Sequence, residues 1–340
     1  MKSMKTKKEP SNLSKILKKI APKIGASILM DPEWGVVGQI TFKNGKKSYI
    51  KYSSLDINLL GASEVAKDKD FANFFMKKMG YKIVPNSKVF FSDNWAEIIN
   101  CPDKKIDDAY DHALKIGFPV IVKQNSGSQG SGVSLVDNKK EFYQAMKENF
   151  EKDRIVLVQE LVYGKDYRIV VLDNEVIVVY ERKSLNIIGD GKKDISELML
   201  RKQQEFVKSK REVNIKLDNP KFILKLKKQG LNLKSVLSEG ERVNLLDNSN
   251  LSTGGDSIDV TDKVHSKFKD LAINLSRDMG LRLCGVDIMI DGDISEETED
   301  YWILEVNHSP GFSHYSKVSK DKKQAIEDMY LEILKQIESK

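Results

Sequence analysis

The chain has 340 residues, 40% of them apolar, and a formal net charge of +6; at about 150 residues per domain this allows two hydrophobic cores without cysteine staples. The composition excludes disorder and collagen, no run reaches the roughly 18 apolar residues of a membrane span, and the lysine-rich start leads into no signal-peptide core. Cys101 and Cys284 stand far apart without a CxxC partner, which excludes a disulfide framework or zinc ribbon and fits a reducing, cytoplasmic setting.

The positive charge is local. Residues 1–24 hold eight Lys and one Glu, a sum of +7, so the other 316 sum to −1. This basic arm reads as a solvated tail, with contact to nucleic acid or anionic lipid as the alternative. Inside it, Leu13, Ile16, Leu17 and Ile20 recur at helical spacing behind Ser11 as a cap, and Pro22 ends the run. The pattern predicts a short helix packed on the body.

Residues 25–60 predict a small antiparallel β unit with Asn44-Gly45 as its hairpin turn. A helix is expected over 64–79, with Phe71, Phe74, Phe75 and Met79 on one face and Gly80 as terminator. A bent strand follows, then a helix over 107–117, and the strand FPVIVK delivers Lys123 to its end. The loop from Gln124 to Gly132 leads to strand VSLV, helix 139–150, strand IVLVQEL and a hairpin about Asp173-Asn174, completing an α+β unit. Residues 192–230 are lysine-rich and predict an exposed helical insertion. Helix 262–279 then places Phe268, Leu271, Ala272, Leu275 and Met279 on a core face, and the apolar strands LCGVDIMI and YWILEVN precede an amphipathic C-terminal helix.

Several clusters carry chemistry. Gly127, Gly130 and Gly132, interleaved with serines, let backbone N–H groups approach an anion; the spacing is neither GxxxxGK[ST] nor GxGxxG, and a flexible hairpin is the alternative. Glu305 and Asn307 lie two apart on one strand and Asp287 on the strand before it, so three oxygen ligands converge in a set that suits Mg²⁺. His308 and His314 have no matching cysteine or HExxH spacing and read as ordinary hydrogen-bonding histidines. Lys69 and Lys123 suit point-charge contacts to phosphate, or are surface lysines. Arg168 and Arg182, one on each strand of the hairpin, suit a carboxylate or acyl phosphate, with structural salt bridges as the alternative.

Taken in order, DKDFANFFMKKMGY, FPVIVKQNSGSQGSGVSLV, VQELVYGKDYRIVVLDNEVIVVYER, IGDGKKDISEL, NLSTGGDSIDVTD, LCGVDIMI and ILEVNHSPGF resemble the ATP-grasp ligases over residues 61–316. The GDG turn, NLSTGG and EVNHSPGF are most similar to the ATP-grasp part of cyanophycin synthetase. STGGDSIDVTD with CGVDIMI also resembles the glutathione-synthetase part of bifunctional glutathione-forming enzymes. The resemblance implies an α+β ATP-grasp fold, two α+β lobes with ATP between them. The domain would span 61–320, with a nucleotide lobe over 105–160, the insertion over 192–240, a metal-binding lobe over 241–316, and a closing helix over 321–340.

By that resemblance, Lys69 and Lys123 meet the phosphates of ATP, and Ser128, Gln129, Gly130, Ser131 and Gly132 close over them. Glu160, Leu161 and Val162 meet the adenine and Asp166 the ribose. Asp287, Glu305 and Asn307 hold two Mg²⁺ ions, for which Mn²⁺ substitutes, Arg168 and Arg182 hold the substrate carboxylate and the developing oxyanion, and Asn250, Ser252, Gly254 and Gly255 line the substrate pocket. The implied reaction is ADP-forming ligation of an amino acid or peptide carboxylate to an amine through an acyl phosphate. A homodimer is the expected oligomeric state, the substrates are expected to be small molecules, and with the positive charge confined to the arm no nucleic-acid or membrane partner is expected. A protein- or polymer-tailoring ligase, its basic insertion guiding an acidic acceptor, and a nucleotide-binding regulator are the alternatives. Three departures bear on the subfamily. Val286 stands where D-alanine ligases carry arginine, 340 residues leave no room for the second ATPase of cyanophycin synthetase, and His308-Ser309-Pro310-Gly311-Phe312 differs from the glutathione-type ending.

Overall fold

The computed structural model describes residues 12–339 apart from 128, 129, 131, 210, 212, 248, 250–252 and 313–319. The expected loop residues Ser128, Gln129 and Ser131, the pocket residues Asn250 and Ser252, His314 and the first part of the basic arm with Ser11 therefore lie outside the described residues. Helix α1 (Asn12–Ile20) turns Leu13, Ile16, Leu17 and Ile20 into the interior, the stripe its spacing predicts. Strands β1 (Ser27–Met30), β2 (Val37–Thr41), β3 (Lys47–Lys51) and β4 (Ser54–Leu55) form an antiparallel meander. Its Asn44-Gly45 turn uses the positive φ of +85° at Gly45.

Helices α2 (Leu60–Lys67) and α3 (Lys69–Lys78) come next, then β5 (Lys88–Phe91), α4 (Asp93–Ile98), α5 (Ile106–Ile116), β6 (Val120–Gln124), β7 (Ser134–Val136), α6 (Lys139–Phe150) and β8 (Ile155–Glu160). The second half runs β9 (Lys165–Leu172), β10 (Glu175–Lys183), β11 (Asn186–Ile188), α7 (Ile195–Lys208), α8 (Pro220–Lys228), β12 (Arg242–Asn244), β13 (Asp256–Asp259), α9 (Ser266–Asp278), β14 (Leu283–Ile290), β15 (Tyr301–Asn307) and α10 (Lys320–Glu338). Among the described residues no helix is long and apolar enough to cross a membrane.

Two antiparallel sheets hold the working surfaces. The first, ordered β5-β8-β6-β7, is covered by α5 and α6 through Phe142, Met146, Ala109 and Ala113. The second is ordered β13-β10-β9-β14-β15. Strand parity decides its two faces: Tyr167, Ile169 and Val171 on β9 pack with Phe268, Ala272 and Leu275 of α9 and with Met76 of α3. The alternate residues Val170 and Leu172 pack instead with the N-terminal meander, α1 and α10. That cover stops short of Asp166 and Arg168, and the uncovered end of the sheet becomes the floor of a cleft.

Two expectations need correction. The helix expected over 64–79 is two helices broken at Asp68, which caps α3 by accepting from the Phe71 N–H at 3.0 Å. Its aromatic face points outward, with Phe71, Phe74 and Phe75 at 59%, 56% and 45% exposure. The inward stripe is Lys69, Ala72 and Met76, at i, i+3 and i+7, because the ammonium of Lys69 must enter the cleft and thereby sets the rotation of the helix. The insertion expected to be exposed has a core of its own. Ile195, Leu198, Met199 and Phe206 of α7 meet Phe222 and Leu226 of α8, and the ribbon of β11 and β12 closes that core with Ile187 and Val243. Its lysines lie on the outer faces, and Lys228 reaches the neighbouring lobe to pair with Asp137 and Glu141.

Candidate active site

Register across β9, β14 and β15 builds the floor of the cleft. Asp287 stands opposite Arg168 on one side and opposite Glu305 on the other, and Asp166 stands opposite Arg182. Residues two apart share a face, so Asp166, Arg168, Arg182, Asp287, Glu305 and Asn307 turn to one side. Arg168 grips Asp287 through both Nε and Nη2 at 2.5 Å. Arg182 Nη2 lies 2.6 Å from Asp166 and 3.0 Å from Asp287. Both arginines thus sit in charge-assisted pairs with buried acids, the alternative left open above. Burial pushes the Asp166 carboxyl up to about 6 against the pull of Arg182.

Asn307 Nδ2 lies 3.3 Å from Glu305 Oε1 and 3.5 Å from Asp287 Oδ2, so the three expected metal ligands do converge. They offer oxygens with neither thiolate nor imidazole, and an amide turns donor or acceptor by rotation. Such a hard donor set fits Mg²⁺. Among the described residues no cluster of three or more His, Cys, Asp or Glu side chains competes for a metal. Burial resists ionisation of Glu305, yet Lys69, Lys123, Arg168 and Arg182 together hold its carboxyl well below the ordinary range.

The cationic wall comes from the other sheet and from α3. Lys69 Nζ reaches Glu305 at 3.2 Å and donates to the Gly127 carbonyl at 2.6 Å, which ties α3 to the glycine loop. Lys123, on β6, is buried, and burial pushes its ammonium down to about 8 although Glu305 and Asp287 oppose the shift. Ser126 anchors the loop start by donating to Asp153 from its amide at 2.9 Å and its hydroxyl at 2.7 Å. At Gly132, with φ +73°, a Cβ would lie 2.1 Å from Asn149 Oδ1. Only glycine lets the loop descend onto α6 there.

Between these walls lies a cleft of about 600 Å³. Lys69, Lys123, Gly130, Asp166, Arg182, Asp287 and Glu305 line it, as do Glu160, Leu161 and Val162 of the β8–β9 connector. Ile121, Met289 and Leu304 add apolar surface that suits a flat ring. Of the expected substrate residues, Gly254 packs on Leu185 and Val213, and the Gly255 carbonyl accepts from Arg211 at 2.5 Å. Neither lines the cleft. Sequence reading missed Asn186, Arg242 and Asn244, which do line it; their only signal was position, beside the GDG turn and before the NLSTGG segment.

Two facing sheets with a glycine loop, paired lysines and a carboxylate–amide triad between them define a nucleotide-binding protein of the ATP-grasp class. Residues 95–219 and 235–331 match the model of the RimK-like ATP-grasp domain. The chain belongs to the RimK-like ATP-grasp family. It is 35% identical over 200 residues to the glutathione biosynthesis bifunctional protein GshAB of Clostridium perfringens, a match covering 56% of this chain and 25% of that one. For GshAB of Mannheimia succiniciproducens the figures are 35% over 213 residues, 57% and 27%. The chain thus spans about a quarter of the length of these relatives. The crystal structure of a bifunctional glutathione synthetase from Pasteurella multocida superposes with a TM-score of 0.58 at 24% identity, covering 94% of this chain and 44% of that one. This likeness shows the fold.

Proposed function

We propose that the chain is an ATP-dependent, ADP-forming carboxylate–amine ligase that joins an amino acid or peptide carboxylate to an amino group. The observation that supports this best is the pair Asp287 and Glu305 on adjacent strands, with Arg168 bound to Asp287, facing Lys69, Lys123 and the glycine loop in one cleft. The relatives named above are glutathione biosynthesis proteins by name, and this family works with ATP and a divalent metal.

In this reading Lys69 and Lys123 bind the β- and γ-phosphates, while the connector 160–162 and the apolar wall hold the adenine. Asp166, held by Arg182, faces the ribose. Asp287, Glu305 and Asn307 would hold two Mg²⁺ ions, whose chemistry when bound is to neutralise charge between phosphate oxygens. A carboxylate oxygen of the substrate attacks the γ-phosphorus and ADP leaves. The amine then attacks the acyl carbon, phosphate departs with its oxygen, and the amide nitrogen releases one proton. No side-chain nucleophile is needed, because positioning and fixed charge do the work. Arg182 turns its guanidinium to the developing oxyanion, and Arg168 orients Asp287.

Against a polymer-guiding insertion, several of its cations are already paired: Lys225 with Asp247, Lys228 with Asp137 and Glu141, and Lys202 and Arg211 with Asp256. The test is ADP release from Mg-ATP with amino acids and dipeptides offered singly and in pairs, Glu305→Gln serving as control. A pair-dependent signal absent from the control is expected. Nucleotide binding with no pair-dependent release would replace ligation with a regulatory role.

A further inference from the structure

The N-terminal β unit lies outside the residues matched to the family model, yet Asn58, just past β4, reaches the two strands that carry the expected metal ligands. Strands β14 and β15 pair as far as Gly285 and Asn307, and beyond that pair they part. Asn58 fills the fork. Its Oδ1 accepts from the backbone N–H of Arg282 at 2.7 Å and of Leu283 at 3.0 Å, and its Nδ2 donates to the carbonyls of Leu283 and His308, both at 2.8 Å. A side-chain amide has two donor hydrogens and an oxygen with two lone pairs, so every position is used. Ile57, buried in the core that holds Val170, Leu172 and Leu283, fixes the stem of Asn58.

The segment after Asn307 is tied down at three further points. The Ser53 hydroxyl donates to the Ser309 carbonyl at 3.3 Å and accepts from the Ser309 hydroxyl at 2.9 Å. Pro310 folds back over β14, where a Cβ on Gly285 would lie 3.1 Å from Pro310 Cβ and 3.6 Å from Arg168 Nε. Phe312 enters the same core as Ile57 and meets the Tyr330 ring edge-on at 5.7 Å. The three expected ligands differ in their need for such support. Asp287 lies mid-strand in the grip of Arg168 and Glu305 stands two residues inside β15, whereas Asn307 is the last residue of its strand, where a ladder frays most easily. A ligand is placed only as well as the groups that hold its backbone and side chain.

We propose that the N-terminal β unit serves the metal site, with Asn58 as the positioning residue that fixes the backbone behind Asn307. This deepens the ligase reading and rests on its metal assignment.

Mn²⁺ is titrated into the full chain with an equimolar non-hydrolysable ATP analogue, and the free ion is read by electron paramagnetic resonance. Asn58→Ala should weaken Mn²⁺ binding about fivefold, the equivalent of about one net hydrogen bond. Asn58→Gln, which carries the same amide one methylene further, should weaken it similarly and decides the matter if the alanine variant does not fold. Affinity for ADP in EDTA should change by less than about twofold in either variant. Ile40→Val, buried in the same unit away from the fork, should lower the melting midpoint and leave Mn²⁺ affinity unchanged. The proposal fails if a folded Asn58 variant binds Mn²⁺ as the wild type does, or if Ile40→Val weakens binding equally. It fails too if ADP affinity in EDTA drops in step, which would give Asn58 a role in the shape of the whole cleft. Glu305→Gln separates the underlying reading: unchanged Mn²⁺ binding in that variant removes the metal assignment itself, while weakened binding there with none at Asn58 overturns this inference alone.

Discussion

Replacing Asp287 by asparagine changes shape very little and removes one charge from a buried group of four. Arg168, Arg182, Asp166 and Asp287 balance to zero, and Asp287 accepts from Arg168 at 2.5 Å twice and from Arg182 at 3.0 Å. Without its charge Arg168 loses both of its charge-assisted hydrogen bonds, Arg182 keeps Asp166, and Glu305 nearby compensates only in part. Breaking a buried pair by removing one partner costs about 3–5 kcal/mol, whereas replacing both partners by apolar groups of similar volume is often neutral. Asp287→Asn is therefore expected to lower unfolding stability by about 3–5 kcal/mol, and Asp287→Leu combined with Arg168→Met to recover most of it. Both are measured by urea unfolding at pH 7.5 without metal or nucleotide, with the slope checked for constancy. If Asp287 matters only as a metal ligand, the metal-free stability will not move. A loss under about 1 kcal/mol, or a double variant no better than the single one, refutes the charge-balance reasoning.

Glu305→Gln should keep the fold and remove most ATP turnover, read as ADP release with the melting midpoint as control. Lys123 has a lowered ammonium pKa of about 8, so between pH 8 and 10.5 the unfolded chain binds more protons than the folded one, and stability must rise with pH across that window. The rise is about 3 kcal/mol at most, and Lys123→Met should abolish it in urea unfolding at stepped pH. Nucleotide phosphates restore the charged form, so binding near pH 8.5 should take up protons, visible as a dependence of calorimetric heat on buffer ionisation enthalpy. Gly132→Ala meets Asn149 Oδ1 and a φ of +73°, and should cost about 1–3 kcal/mol and weaken nucleotide binding. Asn149→Ala in that background should return the steric share and leave the backbone share, as urea midpoints will show.

The parts of this molecule that were legible in the sequence obey short periods. Alternation along LCGVDIMI and YWILEVN placed Asp287, Glu305 and Asn307 on one face, and glycine punctuation ended α3 and α5 where Gly80 and Gly117 stand. What stayed hidden depends on partners remote in sequence. Phe71, Phe74 and Phe75 look like a core face by composition, and only the inward pull on Lys69 reverses them. Arg168 meets an acid 119 residues away, so strand order had to be known before its pairing could be. Arg242 sits on a three-residue strand whose polar face has meaning only because its opposite face closes the insertion core.

The pairing of Lys228 with Asp137 and Glu141 gives the insertion a purchase on the lobe that carries the glycine loop. Its partners Asp137 and Glu141 are 41% and 23% exposed, so the link is weak in energy, about 1 kcal/mol or less, and screened by salt. A weak tether between two bodies governs how often they part more than whether they fold. Ionic strength and substitution of Lys228, which does not line the cleft, should therefore set the pace at which the cleft admits and releases its ligands.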